Sequence, residues 1–524
     1  MVYNQSVCNV LVMLDFIMRY LLILCLLLAA ACQAPKPSTP IELSELTVAQ
    51  IHASYEKGEY SSEDLVQAYL DRITKLNDTL NALTTINPEA LTSARLLDEE
   101  FAKTGKLRPL HGIPLIVKDN INTKGLPTTA GALALADYIP GEDAFIIQKL
   151  VEAGAIILAK SNMAEWAFSP MHSESSTAGT TRNPYNLEFV PAGSSGGTGA
   201  AIAANLGTIG LGTDTGNSIR GPSSHNSLVG FRTTLGLVSR SGIVPLYLRN
   251  DVVGPMTRTV EDAVRVLEIT AGYDPADPLT KYSEGKIPEN YSQFLVKDGL
   301  KGARIGVFRT LSEKDADPEI SQLFNAALAD MEELGAVIVD SVEVADFETL
   351  RQDQWCNVFR ADLETFLQTY VKRDTMKTME DVIRVGTKSD FAKSRLTMFA
   401  ENKGRRENPE TECGDAYTDV KRIAFREAIE KMMDSLGLDV LVYPTWNNKP
   451  ARLAAFEAEY KGDNSQIIAP HTGQPAFTVP MGFASGNLPA GLQFLGRMYS
   501  EPTLIKLAYS YEQGTKHRKA PDLN

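Results

Sequence analysis

Two serines on glycine-rich turns and one lysine at the end of an apolar run are the residues whose types and placement best suit chemistry. The first turn reads Ala192-Gly193-Ser194-Ser195-Gly196-Gly197 and the second Asp214-Thr215-Gly216-Asn217-Ser218. Where an ordinary loop mixes in charges, the first holds only small residues, and its glycines are expected to take backbone angles that other residues resist. A serine on such a turn is exposed as a nucleophile, with backbone N–H groups aimed at developing negative charge. That serine needs a base. The chain has 6 histidines, His52, His111, His172, His225, His471 and His517, and none sits in a motif that marks a catalytic base. Lys118 follows Leu115-Ile116-Val117, and a lysine buried there loses its charge and becomes able to accept a proton.

These residues have to be held by regular elements, and the pattern around them is α/β. Gly199 to Asn205 reads as a helix of small residues and Gly207 to Leu211 as a buried strand, which places a helix and a strand between the two turns. Leu115 to Val117 reads as a strand ending at Lys118, followed by a helix around Asp143 to Glu152 and a strand over Ala155 to Ala159; such alternation predicts a sheet core. From Leu46 to Phe101 the pattern is helical, with a capping start at Ser61-Ser62-Glu63-Asp64. Further helical stretches run over Asp315 to Gly335 and Ala416 to Leu436, and late strands and their turns fall at Val440 to Thr445, Thr472 to Pro480 and Leu488 to Gln493.

The segments GIPLIVKDN from Gly112 to Asn120, GSSGGTGAA from Gly193 and GTDTGNSIRGPS from Gly212 to Ser223 together resemble the amidase signature family of serine hydrolases. Weaker similarity extends from about Leu46 to about Gln513. The resemblance implies one large domain with a central mixed β-sheet covered by helices on both faces. It implies Ser218 as nucleophile, Ser194 as the middle residue of a proton relay, with a cis peptide bond before it, and Lys118 as the base. The backbone N–H groups of Thr215, Gly216, Asn217 and Ser218 then form the oxyanion hole, and Asp214 and Arg220 form a structural pair supporting the turn. The reaction implied is hydrolysis of a linear carboxylic amide with no cofactor and no metal. The amide is a small molecule or a peptide, from classes that span small amides, aryl amides, peptide C-terminal amides and fatty acyl amides.

Several positions depart from the pattern. Asn217 stands where most members have the second glycine of G-G-S; asparagine tolerates left-handed geometry, and its amide is placed to narrow the pocket or hydrogen-bond the acyl group. Thr233 replaces a proline and Leu237 an arginine in Gly230 to Arg240. Lys160 to Phe168 resembles a stretch that lies beside the active site, and is equally readable as a plain strand-to-helix connection. Asn217 keeps open a catalytically silent, amidase-like binding protein. A nucleotide-binding module is the other alternative the glycine turns raise, although neither turn ends in Lys-Ser/Thr and Gly210-Leu211-Gly212 lacks the next required glycine.

Residues 1–31 read as a leader and signal peptide, with Arg19 before the apolar run Leu21 to Leu28 and small residues Ala29 to Ala31; Met18 is the better start. Cys32 directly after them resembles a bacterial lipobox, so the mature chain is expected to begin there, lipidated and exported, facing the periplasm or cell exterior and meeting a membrane through that anchor alone; an ordinary cleaved signal is the alternative. Residues 32–45 carry the anchor and a tether containing Pro35, Pro37 and Pro40, and residues 46–524 form the amidase domain. Hydrophobic residues make up 44% and charged residues 22%, an ordinary globular balance, and the net charge of -14 disfavours nucleic acid as a partner. The 5 cysteines are too few for a disulfide framework or a metal site, and once the leader and Cys32 are set aside only Cys356 and Cys413 remain, with pairing open. The stretch from Ser283 to Asp463 matches the family least, and in the family that region shapes the way in for substrate.

Overall fold

Apolar runs without polar alternation form strands that need cover on both faces, and such runs build the middle of the sheet. The computed structural model describes residues 40–340, 342–401 and 413–523, together with Met18. The leader (Met18 apart), Cys32 and the tether up to residue 39 therefore lie outside the described residues, and from Leu43 onward the chain forms one unit. Apart from a short hairpin of Glu174–Ser175 with Gly179–Thr180, its strands are β1 Leu83–Ile86, β2 Ile113–Lys118, β3 Ala155–Ser161, β4 Ile209–Asp214, β5 Val229–Arg232, β6 Val252–Thr257, β7 Arg304–Val307, β8 Val337–Val339, β9 Val440–Pro444, β10 Ala476–Ala484 and β11 Leu488–Leu495. They form one 11-stranded sheet in the order β1-β3-β2-β4-β6-β5-β10-β11-β9-β7-β8. The sheet is mixed: β3, β2 and β4 run parallel, as do β9, β7 and β8, while the strands between pair antiparallel.

Helices surround this sheet. Phe145–Glu152 packs on β3, Val260–Thr270 on β6, Pro318–Glu333 and Glu501–Thr515 on β10, and the small-residue helix Gly196–Ala203 on β2 and β4. At the centre, Phe231 and Phe477 are cross-strand partners on β5 and β10 and stack with centroids 3.6 Å apart. Both are fully buried, so truncating either to alanine costs about 3–5 kcal/mol. No described helix is long and apolar enough to cross a membrane.

The elements around the glycine turns follow the sequence pattern with shifted ends, and one expectation fails. The predicted capping start is present: Ser61 and Asp64 exchange hydrogen bonds in a capping box ahead of helix Ser62–Leu80. The run from Leu46 to Phe101 is not helical throughout, because β1 interrupts it; Leu83, Thr85 and Ile86 pair with β3, and the edge of the sheet supplies hydrogen bonds that four residues cannot supply themselves.

Three helices, Phe359–Phe366, Met379–Val385 and Asp390–Glu401, come from the stretch of weakest family similarity. Phe359, Leu363, Phe366, Leu396 and Phe399 on them bury against Trp166 and Phe168. That cluster docks this segment beside the ends of β2 and β4.

Candidate active site

β2 and β4 are parallel neighbours, with Val117 opposite Leu211, so their last residues project at the same edge of the sheet. Lys118 ends β2 and Thr213 is next to last in β4. Lys118 Nζ is 2.7 Å from Ser194 Oγ, 2.8 Å from Thr213 Oγ1 and 3.3 Å from the Thr213 carbonyl. Ser194 lies just before helix Gly196–Ala203, and Ser218 on the turn between β4 and helix Arg220–His225. Lys118 and Ser194 are fully buried, whereas Ser218 keeps 4% exposure and is the one of the three that lines the cleft.

Burial pushes the Lys118 amine down from its ordinary value of 10.5 to about 7, against the partial opposition of the Asp214 and Asp251 charges. A second buried lysine, Lys160, is driven down to about 8, but it sits 3.6 Å from Asp119 and donates to the Ile121 carbonyl and the Thr128 hydroxyl. Its role is to hold the β3 end. Lys118 has only hydroxyl and carbonyl neighbours within hydrogen-bond range among the described residues, which is the environment of a proton acceptor.

The glycines of the first turn serve close approach rather than unusual angles. The Gly193–Ser194 peptide is cis, as the resemblance implies, and neither Gly193, Gly196 nor Gly197 has a positive φ; that falls on Ala192 at φ 60°. A Cβ on Gly193 would lie 2.4 Å from the carbonyl oxygens of both Ser169 and His172, and one on Gly197 would lie 2.1 Å from the Asn162 carbonyl. Nor does Asn217 use its tolerance of left-handed backbone, since neither it nor Gly216 has a positive φ.

Asp214 and Arg220 pair as expected, with Arg220 Nε donating to Asp214 Oδ2 at 3.1 Å. The pair is part of a larger group that sequence patterns do not reveal. Arg232 Nη1 donates to Asp214 Oδ1 at 2.8 Å, the Ile219 N–H to Oδ2 at 3.2 Å, and Arg220 Nη2 to the Gly216 carbonyl at 2.7 Å. Burial alone would raise the Asp214 pKa, but the guanidiniums of Arg220 and Arg232 outweigh it and hold the carboxyl at about 2. The turn is thereby pinned from below. Thr215 adds a hydroxyl bond to Asp251 at 2.6 Å. The backbone N–H groups of Thr215, Gly216, Asn217 and Ser218 have no acceptor among the described residues, and all four residues line the cleft. They are unsatisfied donors at the cleft, of the kind that can receive an oxyanion.

The cleft holds about 500 Å³, and Phe168, Tyr247, Trp355, Met398 and Phe399 give it an aromatic and apolar wall. Of Lys160 to Phe168, Ala167 and Phe168 reach it, while Glu165 turns away to accept from Ser176 and Thr387. Cys356 also lines it and is disulfide-bonded to Cys413, so the two cysteines whose pairing the sequence leaves open do pair.

Comparison with known proteins agrees with this arrangement. The amidase family pattern matches residues 64–505. A probable amidase of Arabidopsis thaliana is 34% identical over 92% of this chain and 93% of its own length. A glutamyl-tRNA(Gln) amidotransferase chain from Moorella thermoacetica is 35% identical over 92% of this chain and 99% of its own. Among solved structures, the native peptide amidase of Stenotrophomonas maltophilia superposes with a TM-score of 0.78 at 34% identity, covering 94% of this chain and 100% of that one. With a mixed sheet enclosed by helices, a buried lysine bonded to the serine of the first glycine turn, and a family match over most of its length, this chain belongs to the amidase family.

Proposed function

We propose that this amidase hydrolyses carboxylic amide C–N bonds through an acyl-enzyme on Ser218, with Ser194 and neutral Lys118 relaying the proton. The observation that carries the reading is the contact of Lys118 Nζ with Ser194 Oγ at 2.7 Å, made by an amine that burial holds at about 7. A neutral amine has two N–H donors and one lone pair. The Thr213 carbonyl can only accept, so it takes one N–H, and the Thr213 hydroxyl oxygen takes the other. The lone pair is left for the Ser194 proton. As Ser218 Oγ attacks the substrate carbonyl, its proton passes to Ser194 and that of Ser194 to Lys118; the free N–H groups of Thr215 to Ser218 receive the oxyanion. The departing amine takes the proton back, and water hydrolyses the acyl-enzyme by the same relay. Loss of one oxyanion donor in such a site costs about 2.7–4 kcal/mol of transition-state stabilisation.

The aromatic wall fits an amide whose acyl part is bulky and apolar, as in a peptide amide or aryl-bearing amide. For the cellular location, the leader pattern with Cys32 supports an exported lipoprotein, and the Cys356–Cys413 disulfide suits an oxidising compartment outside the cytoplasm. Cys32→Ala should give a soluble, still active enzyme, and mass spectrometry finding an unmodified chain that retains Met18 would end that part of the reading. For the chemistry, a fluorophosphonate should label the wild type on Ser218 and leave Ser218→Ala unlabelled, alongside turnover of an apolar amide by the wild type alone. An unlabelled, inactive wild type would instead identify a silent binding protein.

A further inference from the structure

The relay is assembled only halfway. Lys118 reaches Ser194, but no hydrogen bond joins the two serine hydroxyls among the described residues; Ser218 Oγ donates to Asn217 Oδ1 at 3.3 Å. The amide of Asn217 is itself fixed. Its Nδ2 donates to the Pro170 carbonyl at 3.2 Å, and that same oxygen receives the Gly193 N–H at 3.0 Å, so one carbonyl ties together the residues that precede the two serines. The amide also nests on Gly221, where a Cβ would come within 2.8 Å of Nδ2. Asn217 is 1% exposed.

These contacts decide which way the amide points. A carbonyl is satisfied only by a donor, so Nδ2 faces Pro170 and Oδ1 is left for Ser218. An amide oxygen accepts a hydrogen bond but does not take the proton, so in this orientation the Ser218 hydroxyl is bonded without being activated. Attack requires the hydroxyl to turn to Ser194, and Oδ1, buried at the cleft wall, then needs another donor, because an orphaned buried acceptor costs more than the bond itself gains.

We propose that Asn217 is a positioning and specificity-determining residue: it holds the Ser218 hydroxyl out of the relay until a substrate amide N–H takes over Oδ1. The inference rests on the amidase reading above. An amide that carries an N–H completes the exchange and frees the nucleophile. An ester of the same acid has no such donor, so it meets a serine still bonded to Asn217. The side chain that departs from the usual glycine therefore selects for N–H-bearing amides.

The test compares wild type with Asn217→Gly and Asn217→Ala at one pH. It measures kcat/KM for an amide with an N–H and for its matched ester, the rate of fluorophosphonate labelling of Ser218, and thermal unfolding. Without the Asn217 bond, labelling and ester turnover should rise about two- to tenfold, the range set by one neutral hydrogen bond, while amide turnover does not rise. The amide-to-ester ratio should thus fall by about the same factor. A merely structural role would lower all rates together. If Asn217→Gly loses its fold, Asn217→Ala, which keeps the Cβ, carries the same comparison. Labelling and amide-to-ester ratio both at wild-type values in a folded variant would overturn the inference while leaving the amidase reading intact; a wild type that is never labelled on Ser218 would instead remove that reading.

Discussion

Thr213 meets Lys118 twice, through its hydroxyl at 2.8 Å and its carbonyl at 3.3 Å, so that one residue of β4 orients the amine ending β2. The hydroxyl also accepts from Asn120 Nδ2 at 3.1 Å, which fixes it in turn. An oxygen that accepts from an ammonium favours the charged form. Thr213→Val removes that acceptor at nearly constant volume, so the acid limb of the kcat/KM profile should move to lower pH while the plateau falls as the amine loses its orientation. A profile unmoved in both midpoint and height would show that Thr213 does not act on Lys118.

For the wild type, the sign of the pH dependence follows from burial. The Lys118 amine is the active species when neutral, and its pKa is lowered to about 7, so kcat/KM should rise from acid through a midpoint near that value and level off above it. Arginine keeps the charge but does not deprotonate in proteins, so Lys118→Arg should be nearly as impaired as Lys118→Ala. An arginine variant with substantial activity would mean that the lysine acts as a fixed charge.

Ser218→Ala and Ser194→Ala should each remove most turnover without disturbing the fold, because each deletes one hydroxyl from a turn and no apolar core volume. They should differ in what can be trapped. Ser194→Ala keeps the nucleophile and should still form a slow covalent adduct, whereas mass spectrometry of Ser218→Ala should find none on any residue.

The site's reacting residues are legible in the sequence because each lies in a short contiguous segment whose residue types state the chemistry: a lysine after an apolar strand, and serines among glycines. Thr213 and Arg232 are written in the same stretches, but their roles depend on the parallel register of β2 with β4 and on how β5 lies across β6 from Asp214, which local patterns do not carry. β1 is obscured for a related reason: Leu83-Thr84-Thr85-Ile86 is four residues between two helices and becomes a strand by pairing with β3. The cleft wall is the least legible part. Trp355, Met398 and Phe399 come from a segment whose placement is decided by long-range burial of aromatic rings against Trp166 and Phe168, and nothing in its periodicity states which residues will face Ser218.

Asp214 should be worth more to stability than to chemistry. Its carboxyl is held at about 2 against an ordinary 3.8, so it contributes about 2 kcal/mol that is present above the unfolded value and lost as pH falls from about 4 through the folded one. Asp214→Asn removes the carboxylate that pairs directly with Arg220 and Arg232, both fully buried, and breaking a buried pair of this kind costs about 3–5 kcal/mol. Denaturant unfolding at neutral pH should read that loss. A midpoint unchanged from wild type would mean that the more distant carboxylates Asp251 and Asp463 suffice to balance the two guanidiniums.

The disulfide should act on substrate binding more than on the relay. Cys356 lines the cleft next to Trp355, whose ring lies so close to the turn before Ser218 that a Cβ on Gly216 would be 3.2 Å from it. The bond to Cys413 spans 57 residues and so closes off the three helices Phe359–Phe366, Met379–Val385 and Asp390–Glu401, the last of which carries Met398 and Phe399. Constraining a loop of that length stabilises the folded state by about 4 kcal/mol in the chain-entropy account. Arg249 gives the same region a second tie, donating to the Gln354 carbonyl at 3.1 Å and the Gly414 carbonyl at 2.8 Å, so reduction should loosen the wall rather than unfold the domain. The Cys356→Ser, Cys413→Ser double variant should therefore melt at lower temperature and show a KM for an apolar amide raised several-fold. The pH midpoint set by Lys118 should stay in place, because Lys118, Ser194 and Thr213 lie on β2, β4 and the first serine turn, outside the bridged segment. An unaltered KM alongside a lowered melting temperature would show that Trp355 keeps its position without the disulfide. A displaced pH midpoint would show that the wall reaches the buried lysine after all.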